Sequence, residues 1–318
     1  MDRHSSVYDN VSFLLDFVQN LYLTEENVES EKGIITQEIN MCNDRPGDLL
    51  CDTIRKNTIK NNPFKESIIG TVDEVNSITK EMLENCYNTF YHPGNMFLVV
   101  TGNFDKDEMM KVIKDNQNSK KFESFVKPKL KKYKEIDDIV VDRDIVECNT
   151  NIPKMAYNIK ININKFDMDV RKLSIYMYII FNLLFGDTSD FDEEMKSKGI
   201  ITNSLYYNLL NIDSHFIVTL TNSLDKYDEL IDEIEKKFKN ISFSKNELER
   251  KKKVLISNEI FSYENIEMIN EMIIDNILFD DKIETDIIGM IESLNIDELN
   301  EVVDKIDFSK KSIVILKK

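Results

Sequence analysis

Apolar positions in the first ninety residues recur at helical spacing. Val11, Leu14, Leu15, Val18 and Leu21 fall on one helical face. Thr24, followed by Glu25, Glu26 and Asn27, supplies an N-cap and first-turn acids for a second helix running through Glu31 and Glu38 towards Met41. Asp44-Arg45-Pro46-Gly47-Asp48 predicts a turn. Leu49, Leu50, Thr53 and Ile54 predict another helix, and Asn61-Asn62-Pro63-Phe64 a loop. Thr79 caps a helix with the stripe Met82, Leu83, Cys86, Tyr87 and Phe90. It stops at His92-Pro93-Gly94, with His92 as a C-cap partner at the negative helix end. Phe97-Leu98-Val99-Val100 then predicts a buried strand, and Asp105 with Glu108 a capping box.

The pattern changes after residue 117. Residues 118–138 are lysine-rich around Pro128 and predict a linker. Beyond it, Met155, Tyr157, Ile159, Ile161 and Ile163 alternate with Ala156, Asn158, Lys160 and Asn162, the period of a strand. Residues 173–185 form a greasy stretch, too short for the roughly 20 residues of a membrane span and suited to a core helix. A strand over residues 216–220 precedes a helix with Leu224, Tyr227, Leu230, Ile231, Ile234 and Phe238 on one face. Ser244 with Glu247 opens the next helix, and Ser312-Ile313-Val314-Ile315-Leu316 is a closing strand. This order predicts a domain over 1–117, a linker over 118–138 and a second domain over 139–318.

Composition narrows the function. A net charge of -17 argues against a general nucleic-acid binder, because little would neutralise a phosphate backbone. Cys42, Cys51, Cys86 and Cys148 lie far apart without a C-x-x-C pair, and three of them sit among apolar residues as small core side chains. That usage, with a polar start and no apolar signal region, predicts a cytoplasmic protein with no membrane partner. The histidines are His4, His92 and His215, and no two share ligand spacing. His215, at a strand start, predicts an edge position. No serine or cysteine has a base at recognisable spacing, and Gly70, Gly94 and Gly102 are too isolated to cradle phosphate.

One constellation remains. Glu31 and Glu38 stand seven apart around Gly33-Ile34-Ile35, so on a helix both carboxylates share a face. Gly70-Thr71, Ser77-Ile78-Thr79, Tyr91-His92-Pro93-Gly94-Asn95-Met96 and Val99-Val100-Thr101-Gly102-Asn103-Phe104 follow in order. Together these landmarks resemble the insulinase/pitrilysin family of zinc peptidases, the inverzincins, over residues 5–115 and more loosely to the C-terminus. The resemblance implies an α+β fold of the mitochondrial-processing-peptidase type, with a truncated first domain and a nearly complete second. It implies Glu38 as the third zinc ligand and Glu31 as an accessory acid close to it.

The family's other ligands and catalytic glutamate come from an H-x-x-E-H helix, and this chain contains no such motif. Glu38 is therefore orphaned, and no cofactor is expected in the isolated chain although the intact family uses zinc. Active members also place an Arg and, seven residues later, a Tyr around a glycine. Around Gly199 the matching positions are Met195 and Thr202, which offer neither cation nor phenol to developing charge. The resemblance thus implies a truncated or non-catalytic family member without proteolysis alone, acting on peptides only if complemented. The alternative is a structural subunit, in a homo- or heterodimer with a family member, that shapes a peptide-processing chamber.

Overall fold

The alternating run at residues 155–163 supplies the middle strand of a five-stranded sheet in the computed structural model, which describes residues 6–280 and 285–318. The strands are β1 (Arg143–Glu147), β2 (Lys154–Asn162), β3 (Tyr206–Ile212), β4 (His215–Ser223) and β5 (Lys311–Lys317). Their order is β1-β5-β2-β4-β3, with β1 parallel to β5 and the other pairs antiparallel. The fold is α+β, and the chain divides into two compact units. One comprises the chain up to Gln37, Thr71–Lys131 and Phe261–Glu284; the other comprises Glu38–Gly70, Lys132–Ile260 and Thr285–Lys318. The whole sheet belongs to the second unit.

Both faces of that sheet are covered. Met155, Tyr157, Ile159 and Ile161 of β2 share one face with Phe216, Val218 and Leu220 of β4 and Ile313 and Ile315 of β5. The greasy stretch forms the helix Val170–Phe185 over this face, capped by Asp169, and buries Leu173, Tyr176, Met177, Ile180 and Phe181 there. No described helix is long and apolar enough to cross a membrane. On the opposite face, Ala156, Val314 and Leu316 meet Leu50 and Ile54 of the helix Pro46–Thr58, while Ile212 and Ile217 meet Ile59.

A period of two ordinarily marks a half-buried strand, yet Asn158 and Lys160 on the more polar face of β2 are buried as completely as their apolar neighbours. Their polarity is satisfied internally. Asn158 donates through Nδ2 to the Ser312 carbonyl at 3.0 Å and accepts from the Thr219 hydroxyl at 2.8 Å. Ser312 in turn donates from Oγ to the Val141 carbonyl at 2.7 Å. The result is a polar row across β5, β2 and β4 inside a dry layer.

In the first unit, Val11 and Leu15 of the helix Val7–Val18 pack on Met109 of the helix Lys106–Asn118, flanked by Tyr8, Val100, Phe104 and Ile113. Local signals hold well here. Thr24 and Asn27 exchange reciprocal side chain to backbone bonds at 3.1 and 2.8 Å, and Thr79 and Asp105 cap their helices. Leu14, however, is half exposed, and Phe13 and Phe17 stack together on the outer surface.

Several expectations are corrected. Residues 97–100 do not form a strand: their backbone groups have no hydrogen-bond partner among the described residues, and Phe97 and Leu98 are exposed. A strand needs a neighbour at ladder distance, and the described part of this unit contains none. The 44–48 turn is shortened because Pro46 opens a helix at the position where its missing N–H costs nothing. His92 is not a helix C-cap, since Tyr91 takes that role. His215 is 1% exposed on a strand flanked on both sides, so it is not an edge residue. None of the four cysteines is core: Cys51 and Cys86 are exposed, Cys42 and Cys148 partly so. Strands β1 and β3 had no legible signal.

Asn158→Ala would leave the Thr219 hydroxyl without its acceptor and take the side-chain donor from the Ser312 carbonyl in a dry layer. It is expected to cost about 1–3 kcal/mol for each group left unsatisfied. Urea unfolding followed by far-UV circular dichroism measures this, with Asn222→Ala at the partly exposed end of β4 as the comparison.

Candidate functional site

The helix Glu25–Asn43 carries both acids of the predicted pair. It buries Val28 and Ile39 and leaves Glu31 and Glu38 exposed, about 10 Å apart along its axis at 1.5 Å per residue. Glu31 falls in the first unit, and Glu38 is the first residue of the second. Neither carboxylate has a hydrogen-bond or ion-pair partner among the described residues, and Lys32 between them pairs with Glu29 at 2.6 Å. A metal would find exposed oxygens there with no positioning hydrogen bond.

Neither described imidazole can join them. His92 accepts the Gly94 N–H at Nδ1 (3.0 Å), donates from Nε2 to the Glu123 carbonyl (3.1 Å) and stacks on Phe125 at 4.6 Å between ring centroids. It is the N-cap of the short turn Pro93–Asn95. A Cβ at Gly94 would stand 2.7 Å from the Phe125 ring, so a larger residue there would have to displace the stacked ring. His215 is 3.0 Å from Asp137 through Nε2 and 2.9 Å from the Ser214 hydroxyl through Nδ1. His4 lies outside the described residues. Among the described residues no three histidines, cysteines or acids group around a common point, so the donor set does not fit a zinc site.

Gly199 has a local explanation. The helix Asp190–Ser197 ends there with Ile200 N–H bonded to the Met195 carbonyl and Gly199 N–H to that of Lys196, both at 3.0 Å. This termination needs a left-handed residue, and Gly199 has φ +62°. Met195 and Ile200 close it in the apolar core, whereas Thr202 is exposed. Met195 therefore serves packing.

The densest polar cluster of the second unit lies in the stretch predicted as a linker. Residues 120–142 form no helix or strand, yet the Glu135 and Lys160 side chains are both 0% exposed and pair at 2.7 Å. The Glu135 carboxylate also accepts the backbone N–H groups of Lys60 (2.9 Å), Asn61 (2.8 Å) and Asn62 (2.8 Å). Lys160 donates in addition to the carbonyls of Thr58 (2.9 Å) and Asp138 (3.2 Å). Beside them Asp137 accepts from His215, from Asn162 at 2.6 Å and from Lys165 at 3.3 Å. The available signal was a lysine inside a strand and three acids, Glu135, Asp137 and Asp138, at the end of a basic run.

Electrostatics follow from those contacts. Burial alone would raise the Glu135 carboxyl, but the Lys160 ammonium and three backbone donors hold it at about 2. Burial likewise opposes ionisation of Asp137, and its bonds from His215, Asn162 and Lys165 bring it to about 2. His215 is pushed below the usual imidazole range chiefly by burial, against the pull of Asp137. A buried carboxylate with its acceptor sites taken, beside a lysine bonded to three oxygens, is a clamp, and neither group is free to move a proton.

Residues 77–255 match the family description "Peptidase M16 inactive domain", and residues 3–72 match "Insulinase (Peptidase family M16)". The chain belongs to peptidase family M16. A relative from Bacillus subtilis named "Uncharacterized zinc protease YmfH" is 32% identical over 255 residues, covering 79% of this chain and 60% of its own length. The chain thus spans about three fifths of that M16 relative. The solved structure of an M16-like peptidase from Alicyclobacillus acidocaldarius superposes with a TM-score of 0.88 at 26% identity, over 99% of this chain and 76% of the other. A protease from Helicobacter pylori shares the fold with a TM-score of 0.83 at 16% identity, over 98% and 76%.

Glu135 and Asp137 hold their protons less tightly folded than unfolded, so the unfolded chain gains protons first as acid is added. Their contribution to stability is complete above about pH 4.5, the ordinary carboxyl range, and is lost as the pH falls towards 2. Denaturant midpoints should drop through that window, and Glu135→Gln should flatten part of the drop. Glu31→Gln and Glu38→Gln, exposed and without partners, should change stability at pH 7 by no more than about 0.5 kcal/mol.

Proposed function

We propose that this chain is a non-catalytic member of the M16 zinc endopeptidase family, without proteolytic activity on its own. The observation that carries the reading is the donor set. Glu38 is exposed and isolated, both described imidazoles have both ring nitrogens engaged, and the sequence contains no H-x-x-E-H. Hydrolysis of the family type needs three protein ligands to hold zinc and a general base to activate its water. Glu38 alone would supply one hard oxygen, and Glu31 has nothing to assist. Met195 in the core and an exposed Thr202 add no cation or phenol for an oxyanion, which supports the same reading. The names of the relatives support peptides as the ligand class of the fold and zinc as the family's metal. A cytoplasmic setting accords with four cysteines and no disulfide among the described residues.

A second reading, a structural subunit that associates with another family member, is favoured by the first unit. There Leu14, Met96, Phe97 and Leu98, all substantially exposed, border an apolar cleft of about 270 Å³. Apolar surface gathered in one place is a common mark of association.

The purified chain is expected to retain well under one zinc per molecule after dialysis, and to leave a mixed peptide library uncut. Near-stoichiometric zinc that disappears in Glu38→Gln, together with chelator-sensitive cleavage, would overturn the non-catalytic reading. Light scattering after size exclusion separates the readings further. A clean monomer that forms no complex with a co-expressed full-length M16 relative would remove the subunit reading.

A further inference from the structure

We propose that Glu135 is the pin of a strap, residues 133–138, that gives two of the chain's crossings between units one common root inside the second unit. The chain enters that unit after Lys131 and leaves it earlier in sequence at Gly70. The strap lies just after the first point, and the 57–62 segment just before the second.

These two stretches are zipped together almost wholly by polar bonds. Glu135 takes three successive N–H groups, from Lys60, Asn61 and Asn62, while Asn61 Nδ2 donates to the Lys134 carbonyl at 3.0 Å. Lys160 bridges the Thr58 and Asp138 carbonyls, and the Asn57 carbonyl accepts from Val140 at 2.9 Å and Val141 at 3.2 Å. Asn57 Nδ2 extends the seam to Asp144 at 2.9 Å. Anchoring begins abruptly. Val126 and Leu130 are each 86% exposed, whereas Glu135 a few residues on is 4% exposed.

A seam of this composition opens as a unit. Take away the carboxylate and a buried ammonium and three backbone donors lose their partner together, so partial release has no stable form. The strap is therefore a two-position device: locked, it holds both connections to one point; released, it frees residues 126–142 as one tether, since Lys120, Glu123 and Phe125 keep their own contacts to Gln19 and His92.

Hydrogen exchange and limited proteolysis on the full chain test this. In the wild type, cleavage should stay within residues 119–131 and the amides of Lys60, Asn61 and Asn62 should be protected. In Glu135→Gln, cleavage should extend into 132–142 and those three amides should exchange about 100-fold faster or more, while β2, β4 and β5 stay within severalfold of wild type. Asp137→Asn, which leaves the pin intact, should keep the wild-type pattern. If Glu135→Gln does not fold, Glu135→Leu/Lys160→Met removes both charges and should fold with the strap released. Wild-type protection of the three amides in a folded variant without the carboxylate would overturn the proposal. Equal loss of protection across the whole sheet in the double variant would also overturn it, because the pair would then be a general element of the core.

Discussion

A carboxylate and an ammonium buried together are the constraint around which the second unit is arranged. Removing the Glu135 and Lys160 charges from water costs several kcal/mol per ion, and their mutual attraction offsets that only with good geometry and further hydrogen bonds. Those bonds are present. Glu135 has three backbone donors besides the ammonium, and Lys160 has two carbonyls besides the carboxylate. The pair therefore demands that the 58–62 segment, the 135–138 segment and strand β2 meet at one point. An apolar contact would accept many registers there, whereas this one accepts a single arrangement.

The second cover of the sheet follows from that demand. The helix Pro46–Thr58 brings Leu50 and Ile54 onto Ala156, Val314 and Leu316, and its end delivers the Thr58 carbonyl to Lys160. Apolar contact and polar clamp are thus consecutive parts of one segment. The row Val141–Ser312–Asn158–Thr219 extends the same logic along the sheet by matching each buried donor to an acceptor. A layer that is polar in sequence becomes dry in structure because no group in the row is left over.

This explains what could be read beforehand. Helix starts at Thr24, Thr79, Asp105 and Ser244 were legible because a cap is a contact within three or four residues. Strand β2 was legible from its alternation, and β4 and β5 from runs of β-branched residues. β1 and β3 were not: Arg143 pairs with Ile313, 170 residues away, and Leu209 with Val218, 9 residues away, and neither strand carries a strong pattern of its own. The resemblance to zinc peptidases rested on the Glu31/Glu38 pair with the landmarks that follow it, and the M16 match accords with it. Glu135 stayed hidden inside a basic stretch because no local periodicity marks a contact between residues 25 and 75 apart in sequence.

The two acidic features of the chain show how context decides what a carboxylate does. Glu31 and Glu38 sit in solvent on a helix face with no hydrogen-bond or ion-pair partner among the described residues, where a charge costs little. Glu135 and Asp137 are surrounded by donors that hold both near 2, and each is committed to one geometry. In a metallopeptidase the first kind of site gains its meaning from ligands brought to it by another segment, since a metal converts exposed oxygens into a fixed centre. The helix Glu25–Asn43 itself buries Val28 and Ile39 on its other side. The ordering around Glu135 comes from protein donors and acceptors. The register of the second unit's sheet is thus set by residues far from the Glu31/Glu38 helix face in sequence, at Glu135, Asn158 and Lys160.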